Sequence, residues 1–168
     1  MSTLADSRAA LLVLLRAVPA VGVVHDHERY ASNEAGFKAA YLHTHGATGV
    51  DAFDVEPHIR GWYLRRTGTA ETTVNGRIFN EHTWTIRGYL SFKDAIGSEL
   101  IFDELIERMR DAVRQSTTLG LPGLVGAKPF EERGMQVESA GPVLFAGVLC
   151  HSAALQLKTR NWAEWRTQ

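Results

Sequence analysis

The most constraining stretch of this chain runs from Ile78 to Phe92. Along it Ile78, His82, Trp84, Ile86, Gly88, Leu90 and Phe92 share one side of a period of two, and Glu81, Thr83, Thr85, Arg87 and Ser91 share the other. Such alternation predicts a strand with one packed face and one wet face. Just upstream, Asn75-Gly76 interrupts Thr73-Val74 and Arg77-Ile78. Asn-Gly supplies the two positive φ angles of a tight type I′ turn, so the strand is expected to have a hairpin partner beginning near Ile59.

The helices are legible from spacing. Leu4, Leu11, Leu12, Leu15 and Val18 recur at helical intervals, leaving Asp6, Ser7 and Arg16 for water, with Ser2 or Thr3 as cap. Pro19 cannot continue that helix and Gly22 relaxes the backbone, so Val21 to Tyr30 is expected to be extended. A short helix follows, with Phe37, Ala40 and Tyr41 on one face and Ser32 or Asn33 as cap. Gly97-Ser98 opens the longest helix, Glu99 to Gln115, apolar at Phe102, Leu105, Ile106, Met109 and Val113. Glu104 and Arg108 are placed to pair across one turn, worth about 0.3–0.5 kcal/mol, so the apolar stripe decides the helix's stability. Residues 116–133, with Gly120, Pro122, Gly123, Gly126 and Pro129, carry no sustained period and read as one long irregular loop. Gly134 to Ser139 and Val143 to Arg160 then predict two strands turning at Ala140-Gly141-Pro142.

The order helix, strand, short helix, hairpin, long helix, hairpin predicts an α+β domain with a mainly antiparallel sheet and helices packed on one face. At 168 residues, 45% of them hydrophobic, one such domain spanning 1–168 is expected, with a projecting hairpin near 68–85. The formal net charge of −1 and the lack of any basic run argue against direct nucleic-acid recognition. The longest apolar stretch, Ala9 to Leu15, is too short for a membrane helix, and the acidic, Arg-interrupted start does not read as a leader; a soluble protein that is not exported is expected. Cys150 is the single cysteine, so no disulfide within one chain can form, and its apolar surroundings predict an inert, buried thiol in a reducing compartment.

Candidate chemistry is sparse. His25-Asp26-His27 and His43-Thr44-His45 have the spacing that places two imidazoles on one side of a strand, as metal-binding barrels use. Neither pair has the glycines and later histidine of such a motif, so no metal is assigned, and a small histidine-dependent metal enzyme stays as an alternative. There is no Gly-x-Ser-x-Gly elbow, and the glycines of 120–126 lack the Lys-Ser/Thr ending of a phosphate loop. No cofactor or catalytic residue is assigned.

What remains is adhesive surface. Trp62 and Tyr63 stand beside Arg65 and Arg66; Asn75, Gly76 and Arg77 form the hairpin tip; Leu121, Pro122 and Leu124 lie in the Pro/Gly loop Leu119 to Phe130; Trp162 and Trp165 lie at the tail. Trp, Tyr and Arg are the residues enriched at interface hot spots. Trp62, Arg65, Arg66, Asn75, Gly76, Arg77, Leu121, Pro122, Leu124, Trp162 and Trp165 are therefore the candidate assembly contacts, while Trp84 reads as core.

Three features in order form a pattern: a first helix ending in Val18-Pro19-Ala20-Val21-Gly22, the strand His82-x-Trp84-x-Ile86-x-Gly88, and the helix from Gly97-Ser98-Glu99 through Phe102 to Val113. The pattern spans most of the chain and resembles tail terminator, or tail completion, proteins of long-tailed phages and prophages. That resemblance implies an α+β protomer that closes a homo-hexameric ring on the finished tail tube. The ring would stop tube polymerisation and form part of the joint with the head's connector, without catalysis. Its partners would be its own copies, the tail tube protein and a connector or neck protein; its place would be the virion's tail-neck region, after assembly in the host cytoplasm. Another neck or head-completion component is the nearest alternative, and a ligand-binding module without an assembly role is the third.

Overall fold

The computed structural model describes residues 3–44, 53, 56–75, 77–116, 119 and 134–162. Helix α1 spans Leu4–Arg16 and begins with a complete capping box: Asp6 N–H donates to the Thr3 hydroxyl while the Asp6 carboxylate accepts from Thr3 N–H at 2.7 Å. Its inner face buries Leu11, Leu12 and Leu15, and also Ser7, which the spacing had assigned to water. Ser7 tolerates burial because its hydroxyl donates to the Thr3 carbonyl at 3.1 Å. Strand β1 is only Val23–His25, shorter than the extended run expected from the sequence. Helix α2 spans Glu34–Tyr41 with Asn33 as its cap, and β2 follows at Leu42–His43.

The long strands are β3, His58–Val74, and β4, Arg77–Ser91, joined through Asn75, whose φ of 50° fits the primed turn that Asn-Gly predicts. A one-turn 3₁₀ segment at Asp94–Ile96 leads through Gly97, at φ 63°, into helix α3, Ser98–Gln115. Strands β5, Gln136–Phe145, and β6, Val148–Trp162, complete the element order. Their turn is at Ala146-Gly147, both at positive φ, and Ala140 to Pro142 lie inside β5. The expected turn was misplaced because Gly-Pro punctuates an edge strand here, a position where proline's missing N–H is tolerated.

The sheet order is β1-β3-β4-β6-β5, with β2 also against β3. Every pairing is antiparallel except β1 with β3. The fold is thus α+β with a mixed, mostly antiparallel sheet. Helices α1 and α3 pack on one face, over Trp62, Leu64, Trp84, Ile86, Leu90, Ala153, Leu155 and Leu157. The expected gathering of all helices on that face is corrected: α2 sends Tyr41 to the opposite face, against Ile59, Tyr63, Tyr89 and Cys150. The face read as wet is therefore covered at this end, because Tyr63 and Tyr89 alternate out of phase with the main core and need a cover of their own. Fully burying each large apolar side chain stabilises by roughly 1.5–3 kcal/mol, so the main core dominates.

Candidate assembly surface

The strand period decides where each candidate residue points. Trp62 shares parity with Leu64, so it faces the helices: it is 0% exposed and stacks on Phe102 with ring centroids 5.5 Å apart. The assignment of Trp62 to a surface contact is corrected on that ground, and Tyr63 on the next position is buried under α2. Burial pushes the Tyr63 phenol up to about 12.

Beyond Leu64 the picture changes. Strands β1 and β2 pair with β3 only at residues 58–63, so from Arg65 onward β3 has β4 as its single neighbour among the described residues. Arg65 is exposed and pairs with Glu28 at 3.2 Å; Arg66 is exposed and donates to the Thr69 hydroxyl at 3.2 Å. The ladder slips one residue between Arg66 and Gly68, a bulge that twists the exposed ribbon. Asn75 is exposed at its end. Arg77 opens β4 opposite Val74. Gly76, Leu121, Pro122, Leu124 and Trp165 lie outside the described residues, as does most of the 116–133 loop.

Trp162 is half-buried at the far end of β6, where its ring lies 4.2 Å from that of its ladder partner Phe79. Beside it Glu81 accepts from Lys158 at 2.9 Å and from Arg160 at 3.2 Å. The Lys158 bond, with help from Arg160, holds the Glu81 carboxyl below its ordinary range. The structure leaves Arg65 and Arg66 exposed midway along the sheet, level with Thr85 and Trp84 of β4, sets Asn75 at the hairpin tip and Trp162 nearer that tip opposite Phe79, and leaves Trp62 in the core.

The histidines disperse. His25 Nε2 is hydrogen-bonded to the Ala40 carbonyl at 2.7 Å, and His27 pairs with its neighbour Asp26 at 2.5 Å. The rings of His43 and His58 meet edge to face at 5.9 Å, and His45 lies outside the described residues. Among the described residues no three or more His, Cys, Asp or Glu side chains converge in a way that could hold a metal.

One polar pair was invisible in the sequence. Ser98, at the start of α3, is hydrogen-bonded to His151 of β6 at 2.8 Å, and the Ser98 hydroxyl oxygen accepts the Lys93 N–H at 2.8 Å. The imidazole stacks on Phe92 at 4.6 Å and on Phe102 at 6.0 Å. Both partners are buried, so the pair pins the start of α3 to the sheet. Fifty-three positions separate them, and only the fold brings them together. Cys150, also wholly buried, has its thiol pushed up to about 11 by burial.

The second surface that spacing alone missed is β5. Its first seven residues, Gln136 to Pro142, are all exposed, and among the described residues it pairs on one side only. No described helix is long and apolar enough to cross a membrane. No protein-family model matches the chain, and no curated protein matches it.

Proposed function

We propose that this chain is a phage tail terminator: a structural protein that caps the tail tube as a homo-oligomeric ring. The observation that carries the reading is the unfinished flank at β5, an exposed strand with an open outer edge among the described residues. Long open edges are rarely left bare in a monomer, because they template further pairing. The ordered elements behind the resemblance support it too: α1 ending before Pro19, then β4 with Trp84 and Gly88, then α3.

In physical terms, two unlike surfaces of each protomer meet head to tail until the rotation closes, giving a hexameric ring with two different faces. One face matches the last layer of tube subunits; the other lacks what a further layer needs and is left for the neck or connector. The β3–β4 ribbon with Arg65, Arg66 and Asn75 is the contact proposed for one of these partners. No bond is made or broken in this role, so positioning and surface match are the whole mechanism.

The test is tube growth. Tail tube subunits polymerised with and without this protein are measured for length by electron microscopy. Growth that stops in proportion to added protein supports the reading, and tubes of unchanged length at molar excess contradict it.

A further inference from the structure

Two arginines from different elements come to Trp84 on the helix-covered face of the sheet. Arg8, on α1, is half-buried and lays its guanidinium over the indole, 5.7 Å from the ring centroid. Its Nε is buried with no acceptor, and among the described residues the guanidinium has no carboxylate partner. Arg66 lies directly across the β3–β4 ladder from Trp84, so its side chain leaves the same face. One arm donates to the Thr69 hydroxyl at 3.2 Å, and among the described residues no carboxylate takes the rest. Asp26 follows β1 on one side of β3, Trp84 lies on the other, and Arg8 acts on both, so its charged head stands over β3, where Arg66 emerges.

A third donor follows from the hydrogen bonds. Thr69 and His82 are ladder partners, and the Thr69 oxygen lies 2.9 Å from His82 Nδ1. That oxygen accepts from Arg66, so its hydroxyl hydrogen goes to Nδ1 and the neutral ring carries its own hydrogen on Nε2. Burial, with Arg66 beside it, keeps the imidazole neutral at pH 7. The Nε2–H meets no acceptor among the described residues. The carboxylates in this region are engaged or stand apart. Asp6 is bonded to Thr3 and Asp26 to His27. Glu71, exposed opposite Asn80 toward the hairpin tip, forms no ion pair among the described residues. A partly desolvated guanidinium without an anion is costly, and a bound oxyanion removes that cost through charge-assisted hydrogen bonds.

The geometry points to an oxyanion site at which Arg8, Arg66 and the His82 Nε2–H together hold one phosphate dianion, free or as a phosphate monoester. Two guanidinium charges call for two negative charges, which a phosphate dianion carries and a single carboxylate does not. Donors arriving from α1, β3 and β4 suit a tetrahedral group better than a flat one. The site stands apart from the capping role and does not rest on it.

The experiment is calorimetric titration of the full chain with inorganic phosphate, against chloride at matched ionic strength, for wild type, Arg8→Met, Arg66→Met and Arg87→Met. Methionine keeps an unbranched stem over Trp84 while removing the charge, and circular dichroism melts check that each variant is folded. Arg8→Met and Arg66→Met are each expected to raise the phosphate Kd at least about tenfold. Arg87 is exposed on the other face of β4, and its loss is expected to leave the affinity unchanged. In nitrogen NMR spectra phosphate is expected to shift the His82 Nε2 resonance more than Nδ1. Should Arg8→Met melt early, the exposed Arg66 and the His82 resonances decide. A wild type without saturable phosphate binding, equal losses in all three variants, or an unmoved Nε2 overturns the site. Succinate bound as tightly as phosphate overturns the phosphate class. A DNA oligonucleotide without terminal phosphates, bound more tightly than phosphate through the same arginines, overturns the dianion in favour of a phosphodiester.

Discussion

Gly88 lies directly across the ladder from Trp62, and a Cβ built on it would stand 2.2 Å from the indole ring. The glycine is what allows the tryptophan to lie against β4 and stack on Phe102. Gly88→Ala is therefore expected to destabilise by about 1–3 kcal/mol through overpacking. Urea unfolding should show a lower midpoint at an unchanged slope, and an unchanged midpoint would refute the close packing of this pair.

The indole of Trp84 is wholly buried, and its N–H donates to the Thr159 hydroxyl at 2.8 Å. Thr159→Val keeps the shape but removes the acceptor, which leaves a buried donor unsatisfied at a cost of about 1–3 kcal/mol. Thr159→Ser keeps the hydroxyl and should lose less. Thermal melts of the two variants decide the matter: equal losses would mean the hydrogen bond contributes nothing.

His151 and His82 are both held below the ordinary imidazole range, in each case chiefly by burial, with Arg66 adding to the effect at His82. The nearby Glu99 and Asp103 act the other way on His151 without reversing the shift. The unfolded chain therefore binds more protons than the folded one as pH falls below about 6.5. The stability due to these neutral imidazoles is complete above that pH and is lost as pH falls through the folded-state values. Unfolding free energies measured from pH 7.5 to 5 should decline, and His151→Gln should flatten the decline. A steeper decline in the variant would contradict the assignment.

Cys150 is wholly buried with a raised thiol pKa, so a thiol reagent at neutral pH should label it only as fast as the protein opens. Immediate stoichiometric labelling of the folded protein would contradict the burial.

Arg65 and Arg66 are exposed, and the Arg65 pair with Glu28 is a surface pair worth less than about 1 kcal/mol. Replacing both by Ala should leave the melting curve nearly unchanged while weakening the capping of tubes. Normal capping by this variant would remove the ribbon from the proposed interface. Trp62 has no place in that test, because its loss would empty the core.

The parts of this fold written in local spacing were legible from the sequence. The Asn75-Gly76 turn, the alternation along β4, the caps of α1 and α2 and the apolar stripe of α3 each depend on residues within a few positions of one another. What depends on distant partners was not. The sequence cannot say that β5 lies at an edge, so Gly141-Pro142 read as a turn although it continues a strand. Trp62 read as surface because its neighbours Arg65 and Arg66 are polar, yet strand parity and Phe102, forty positions away, decide its burial. The same holds for the candidate site: the exposed hairpin residues were visible, whereas the exposed β5 strand gains meaning only from its place at the edge of the sheet.

The most direct test of the central claim is where the protein sits on a tail tube. Electron microscopy of purified tubes incubated with the protein should show a ring at one tube end and a bare wall. Protein distributed along the wall, or absent from both ends at molar excess, would contradict a terminator.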